Sequence, residues 1–387
     1  MAAPPPEPRE LELDPKYDDY DFPTSSIEAR TGHPGFLTPA QQAQVHQLRM
    51  MLEGEGFTGK LDTLTLLRFL RARKFDVAAA KKMLVDSEQW RHTMTIVEVD
   101  DRDTKGKPRL LSLDDDDPMH NPPEKPIDLD EAVRTWDKDG EFKRKLSKHY
   151  TQFYHKTDKD GRPCYFEKLG GIDFAKLKKE KFTNDKMILN LAVEYEKMVD
   201  PRLPACSRKA DRLVETSCTV LDVNGVSTFR PGKIYDYITQ TSSMSNNNYP
   251  ERMGKMYVIN VGTLQWAAWH VIKNFLDPVT ASKIHVYGGN YKSELLKQIP
   301  AENLPASFGG SCKCEGGCEL SDAGPWHDPQ WARPAWWEKE PTDATIENKP
   351  SEIETSNGAA TEGKAPAAEE APATEEAPAA EEAKVAA

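Results

Sequence analysis

From residue 150 onward, short β-rich runs alternate with amphipathic helical stretches, and this alternation admits few folds. CYFEKL (164–169) follows a turn at Asp160-Gly161, and TSCTVLDV (216–223), MYVINV (256–261) and KIHVY (283–287) repeat the β-rich character. Between them lie two helical stretches. Residues 185–199 carry Ile188, Leu191, Ala192 and Tyr195 on one face, and 233–245 carry Ile234, Tyr237 and Ile238. Strand–helix–strand order predicts an α/β fold with a mixed, mostly parallel sheet. Upstream, the pattern is helical. Thr38 and Gln41 form a capping box with Pro39 at the first helical position. Val45, Leu48 and Leu52 recur at helical spacing, LLRFLRARKFD (66–76) continues the pattern, and Met83 to Trp90 forms a third helix.

The rest of the chain reads as polar framing. Residues 1–35 are rich in proline and acids and should be extended or disordered. Residues 36–96 form the helical region, and 97–131, with the run Asp114 to Asp117, form an acidic mobile insertion. The α/β domain occupies 132–330, and 338–387 form a disordered tail with the near-repeat APAAEEAPATEEAPAAEEA. These ends explain a hydrophobic content of only 38% and a mean hydropathy of −0.69. A net charge of −12 argues against a nucleic-acid partner. MAAPPPEPRE lacks the basic and apolar regions of a signal peptide, and no apolar run is long enough to span a bilayer. Neither end carries a lipidation motif. The expectation is a cytoplasmic protein whose membrane contact is peripheral and whose six cysteines are reduced.

Few residues suggest chemistry. In TSCTVLDV, Ser217 and Thr219 share one face of a central strand. They either bond neighbouring backbone or offer a polar foothold to a headgroup in an apolar cavity. WAAWHVIKNFL (266–276) is apolar nearly all round, with Trp266, Trp269 and Ile272 on one side and Val271 and Phe275 on another; it is a core helix or an oily lid. Cys312, Cys314 and Cys318 form C-x-C-x3-C with His327 further on. Four such ligands would suit tetrahedral zinc, but the spacing is not one of the usual pairs, so a loop of free thiols without metal is expected. Gly225 to Ile234 only superficially resembles a phosphate loop, and H-E-x-x-H, G-x-S-x-G and G-x-G-x-x-G are all missing. The chain does not read as an enzyme.

LLRFLRARKFDV, YHKTDKDGRPCYFEKLG, RLPACSR, LVETSCTVLDVNG, YPERMGKMYVIN, FLDPVTASKI and LLKQIPAENLPASFGG together resemble the fungal Sec14 phosphatidylinositol/phosphatidylcholine transfer proteins of the CRAL-TRIO family. The resemblance covers roughly residues 37–330 apart from the acidic insertion. It implies a helical N-terminal region and a sheet flooring an apolar lipid pocket closed by a gating helix, here with Trp266, Trp269, Ile272 and Phe275. It carries a phosphatidylinositol set onto Arg73, Lys74, Glu251, Thr280 and Lys283. It carries a phosphatidylcholine set onto Tyr154, Tyr165, Tyr195, Ser217, Thr219, Ser245 and Tyr249. It further implies a monomer that needs no cofactor beyond bound phospholipid. Such a protein touches Golgi or endosomal membranes transiently, supplies lipid kinases and supports secretory traffic. Two rivals remain at this point: a carrier of another apolar ligand such as a sterol, and an adaptor whose acidic tail or insertion binds proteins.

Overall fold

The computed structural model describes residues 9–92, 94, 128–226, 233–273 and 278–338, without the side chains of 233–235, 268, 271 and 272. The acidic stretch 97–127 and the tail from 339 lie outside the described residues.

Three helices open the chain: α1 (Pro39–Gly54), α2 (Thr63–Ala72) and α3 (Val77–His92). The Thr38–Gln41 capping box starts α1, and the Asp62 side chain accepts from Thr65 N to start α2. Their apolar stripes meet in one core containing Leu48, Leu52, Leu66, Leu67, Leu70 and Leu84. Residues 9–36 contain no helix, yet they are tied down. Leu11 is buried in that core, and Asp18 accepts hydrogen bonds from the backbone and hydroxyl of Thr63. The extended segment thus straps the helical region.

The α/β part begins with α4 (Leu129–Thr135) and α5 (Glu141–Leu146). Residues 128–131, read from sequence as part of the mobile insertion, instead start α4: the Asp128 carboxylate caps the amides of Asp130 and Glu131. Strand β1 (Gln152–Thr157) and strand β2 (Pro163–Lys168) follow, then α6 (Phe174–Lys179), α7 (Asn184–Lys197), α8 (Leu203–Ala210) and β3 (Ser217–Asp222). Next come α9 (Lys233–Asn248), β4 (Met253–Ile259), α10 (Thr263–Ile272), α11 (Pro278–Lys283), β5 (Ile284–Val286), α12 (Lys292–Gln298) and the short α13 (Cys318–Ser321). The sheet order is β1-β2-β3-β4-β5, antiparallel between β1 and β2 and parallel thereafter.

Strand β1 is the strand that sequence reasoning missed, beside short helices such as α5, α6 and α8. Its pairing slips between Tyr154 and Thr157, so His155 and Lys156 together oppose Cys164, and Lys156 takes a φ of 49°. Such a bulge breaks the period-two signal that marks a strand. Where β2 leaves the sheet, Gly170 lets the backbone pass so close to Asn224 that a Cβ would sit 1.6 Å from its carbonyl oxygen.

Candidate functional site

The sheet has two unlike faces. On one, Phe153, Phe166, Val220, Tyr257 and Ile259 pack against Leu295, Leu304 and Phe308 of the C-terminal segment and are buried. The opposite face carries Tyr165, Glu167, Thr219, Leu221, Met256 and Val258 in register across β2, β3 and β4, and all six are only half-buried. Apolar side chains in the middle of a central sheet that stay partly accessible line a space rather than a packed core.

This front face gathers most of the phosphatidylcholine set named from sequence. Tyr154 pairs with Tyr165 across β1 and β2, their rings 5.0 Å apart, and Tyr165 pairs with Thr219 on β3. Tyr195 of α7 stacks on Tyr249 just beyond α9 at 4.7 Å, and a hydrogen bond joins Tyr195 to Ser245 of α9. Several members are already engaged: the Tyr165 hydroxyl donates to Gln152 Oε1 at 2.9 Å and Ser245 Oγ to Ser242 O at 3.2 Å. The Ser217 hydroxyl donates to Arg252 O at 3.4 Å, which is the backbone role that its strand position left open. The Tyr249 hydroxyl donates to Glu196 at 2.7 Å. Glu196 in turn accepts two hydrogen bonds from Arg91, at 2.8 and 2.7 Å, which lock α3 to α7 behind the aromatic pair. Although burial disfavours its charge, the Arg91 guanidinium holds the Glu196 carboxyl at about 2. Burial pushes the hydroxyls of Tyr154, Tyr165 and Tyr249 well above the ordinary tyrosine value, so they remain protonated at physiological pH.

The phosphatidylinositol set lies elsewhere. Glu251 and Lys283 lie two residues and one residue before the parallel strands β4 and β5, and their charged groups are 4.0 Å apart. Thr280 sits half-buried on α11, three residues before Lys283. Arg73 and Lys74 are exposed at the end of α2. The Arg71–Glu215 ion pair at 3.1 Å and the bond from Arg252 to Glu215 O tie that helix end to the start of β4. Glu251 and Lys283 therefore meet at the N-terminal ends of the parallel strands, and no contact joins Arg73 or Lys74 to them among the described residues.

Helix α10 covers the gate segment but begins earlier than its tryptophans suggest, at Thr263. Leu264 is 51% exposed and Trp266 42%, and Val279 on α11 is 47% exposed. Trp269 is half-buried. The described part of α10 is thus not an ordinary core helix. The side chain of Ile272 and all of Phe275 lie outside the described residues.

Glu167 escaped the sequence reading. It stands two residues from Tyr165, hence on the same face, and accepts a hydrogen bond from the Tyr150 hydroxyl, while the Tyr165 hydroxyl donates to Gln152 Oε1 at 2.9 Å. Burial outweighs hydrogen bonding and raises its carboxyl to about 7. The period-two pattern of CYFEKL could have flagged it. His327, named from sequence as a possible fourth metal ligand, pairs instead with Asp322 at 3.1 Å.

The CRAL/TRIO domain model matches residues 147–310, and the CRAL/TRIO N-terminal domain model matches residues 45–86. The "Sec14 cytosolic factor" of Schizosaccharomyces pombe is 46% identical over 310 residues, covering 80% of this chain and 96% of the relative. The chain belongs to the fungal Sec14 family. A second Sec14 relative, "SEC14 cytosolic factor" from Candida glabrata, is 45% identical and covers 78% of this chain and 89% of its own length. The Arabidopsis thaliana "Phosphatidylinositol/phosphatidylcholine transfer protein SFH7" is 38% identical over 274 residues, 70% of this chain but only 43% of that protein. Among the described residues no helix is long and apolar enough to cross a membrane.

Proposed function

We propose that this Sec14-family protein is a phosphatidylinositol/phosphatidylcholine carrier that lifts single phospholipids from one membrane and delivers them to another. The observation that carries this reading is the front face of the sheet. The Tyr165 ring and the Thr219 hydroxyl stand there among half-buried Leu221, Met256 and Val258, a polar foothold inside an apolar lining. A phosphocholine group suits it, because aromatic faces attract a quaternary ammonium and hydroxyls donate to phosphate. The Glu251–Lys283 edge offers charge and hydrogen bonds to a phosphoinositol.

The energetics favour a protein cavity over diffusion. Two acyl chains of about sixteen carbons cost on the order of 25 kcal/mol to expose to water, at roughly 0.8 kcal/mol per CH₂. Exchanging bilayer for an apolar pocket removes most of that cost and leaves movement of the covering helix as the main barrier. Exposed Leu264 and Trp266 on α10 would meet the membrane when that helix moves. The protein acts without catalysis, resides in the cytosol, visits Golgi or endosomal membranes transiently and supplies phosphatidylinositol to lipid kinases.

The test is to incubate the protein with vesicles of mixed phospholipid and sterol, re-isolate it, and identify bound lipid by mass spectrometry. Phosphatidylinositol and phosphatidylcholine at a combined stoichiometry near one per chain are expected. Sterol, or no lipid, would refute the assignment.

A further inference from the structure

Behind the lipid-facing sheet the fold gathers a second constellation. His155, Cys312, Cys314 and Cys318 each turn one ligating atom toward a common point, all four atoms lying within 4.8 Å of one another. His155 Nε2 lies 3.3 Å from Cys312 Sγ and 4.0 Å from Cys314 Sγ, and the two sulfurs are 3.9 Å apart. A tetrahedral zinc with Zn–S of about 2.3 Å and Zn–N of about 2.0 Å requires S···S edges near 3.8 Å and N···S edges near 3.5 Å. The three edges among His155, Cys312 and Cys314 scatter about those values. The thiols are all free, and the sulfurs of Cys312 and Cys314 stand far beyond disulfide length.

The backbone is shaped to make this arrangement. The bulge in β1 opposes two residues to one, and Lys156 N donates to Ala323 O at 2.6 Å in the C-terminal segment. His155 is thereby fully buried beneath that segment. On the other side, Gly316 and Gly317 take φ of 72° and 98°, and Gly317 N donates to Cys314 O. This left-handed turn folds Cys318 back onto Cys312 and Cys314. The remaining ring nitrogen of His155, Nδ1, lies 3.1 Å from Ser321 Oγ, a partner that fixes the ring with Nε2 facing the thiols. Lys156 Nζ lies 3.2 Å from Cys312 Sγ. Three thiolates on a divalent zinc leave one net negative charge, which this ammonium offsets.

We infer that His155, Cys312, Cys314 and Cys318 form a structural zinc site that fastens the C-terminal segment to the edge strand of the sheet. Four protein ligands close the tetrahedron and leave no open position, so the metal is structural rather than catalytic. Soft thiolates with one imidazole select zinc over the hard cations that prefer oxygen. On binding, three thiols release their protons to solvent and the neutral imidazole donates its Nε2 lone pair. No electron is transferred. Because the site clamps the back of the sheet, it contributes to stability and not to headgroup choice.

The test uses the full chain, expressed without a metal-binding tag and purified without chelator, with metals counted by elemental mass spectrometry. About one zinc per chain is expected, released by a mercurial thiol reagent. Cobalt-loaded protein should show the strong visible bands of a tetrahedral thiolate site. Cys314→Ser is the more informative variant, since Cys314 is the half-exposed ligand and its loss leaves the buried core intact. It should reduce bound zinc at least tenfold and weaken the cobalt bands. His155→Gln should do the same, whereas His327→Ala should leave zinc unchanged. Chelation should lower the melting temperature while the ratio of phosphatidylinositol to phosphatidylcholine transfer stays fixed. Less than about a tenth of a zinc per chain, in protein that also fails to take up zinc or cobalt from solution, would overturn the inference. So would a disulfide between any two of these cysteines in protein isolated under reducing conditions, or zinc that depends on His327.

Discussion

Glu167→Gln should change how stability depends on pH. The folded carboxyl holds its proton up to about 7, because burial against Tyr150 and Tyr165 disfavours the charge, whereas the unfolded chain releases it near 4.5. Between those values the folded state binds more protons than the unfolded state. Stability must therefore fall as pH rises from about 4.5 through 7, and the loss is complete above it. At about 1.4 kcal/mol per pH unit the window amounts to at most about 3.5 kcal/mol. Solvent reaching a half-buried side chain reduces this toward about 1 kcal/mol. Glutamine keeps the shape of the neutral acid and has no proton to lose. Urea unfolding of both proteins at pH 5 and pH 8 isolates the effect, since every other titrating group cancels in the difference. The wild type should lose 1 to 3 kcal/mol more than the variant between the two pH values. Parallel pH profiles would refute the placement of a protonated carboxyl on the lipid-facing side of β2.

Three further perturbations test the site. Trp266→Asp places a charge on an exposed position of α10, so exchange between vesicles should fall at least tenfold while the melting temperature stays within about 2 °C; a large loss of stability would make α10 a core helix. Lys283→Ala should selectively reduce phosphatidylinositol transfer and Thr219→Val selectively reduce phosphatidylcholine transfer. Each effect should be roughly tenfold or more, since a hydrogen bond to a charged group is worth about 1.5–3 kcal/mol; equal loss of both activities in folded variants would dissolve the two-site reading. Glu196→Gln should cost on the order of 1.5–3 kcal/mol in urea unfolding, because Arg91 and the Tyr249 hydroxyl lose a charged acceptor while Arg91 keeps Asp130; a cost below about 0.5 kcal/mol would mean that the Arg91–Glu196 pair is not a support for Tyr249.

The local signals in the sequence were those whose physical cause is itself local. A capping box needs only Thr38 and Gln41, and α1 starts there. Alternation along TSCTVLDV needs only the pleat, and it placed Thr219 on the face opposite Cys218 and Val220. The same period would have exposed Glu167 beside Tyr165, yet nothing local says that a carboxylate there lies buried beneath Tyr150. Strand β1 was hidden because its bulge breaks the alternation, and Ser217 looked like Thr219 because its bond to Arg252 O belongs to the neighbouring strand. The cysteine cluster shows the limit most plainly. C-x-C-x3-C supplied three ligands at short spacing, and the nearby His327 was the natural fourth by position in the chain. The histidine that joins them stands 157 residues before Cys312 and is carried there by an edge strand. Sequence by itself determined the capped start of α1, the faces of β3 and the residue types available for binding, because those follow from neighbours along the chain. Which of them meet was decided by the tertiary structure alone, because bringing distant residues together depends on how the sheet packs and not on any spacing that a reader could count.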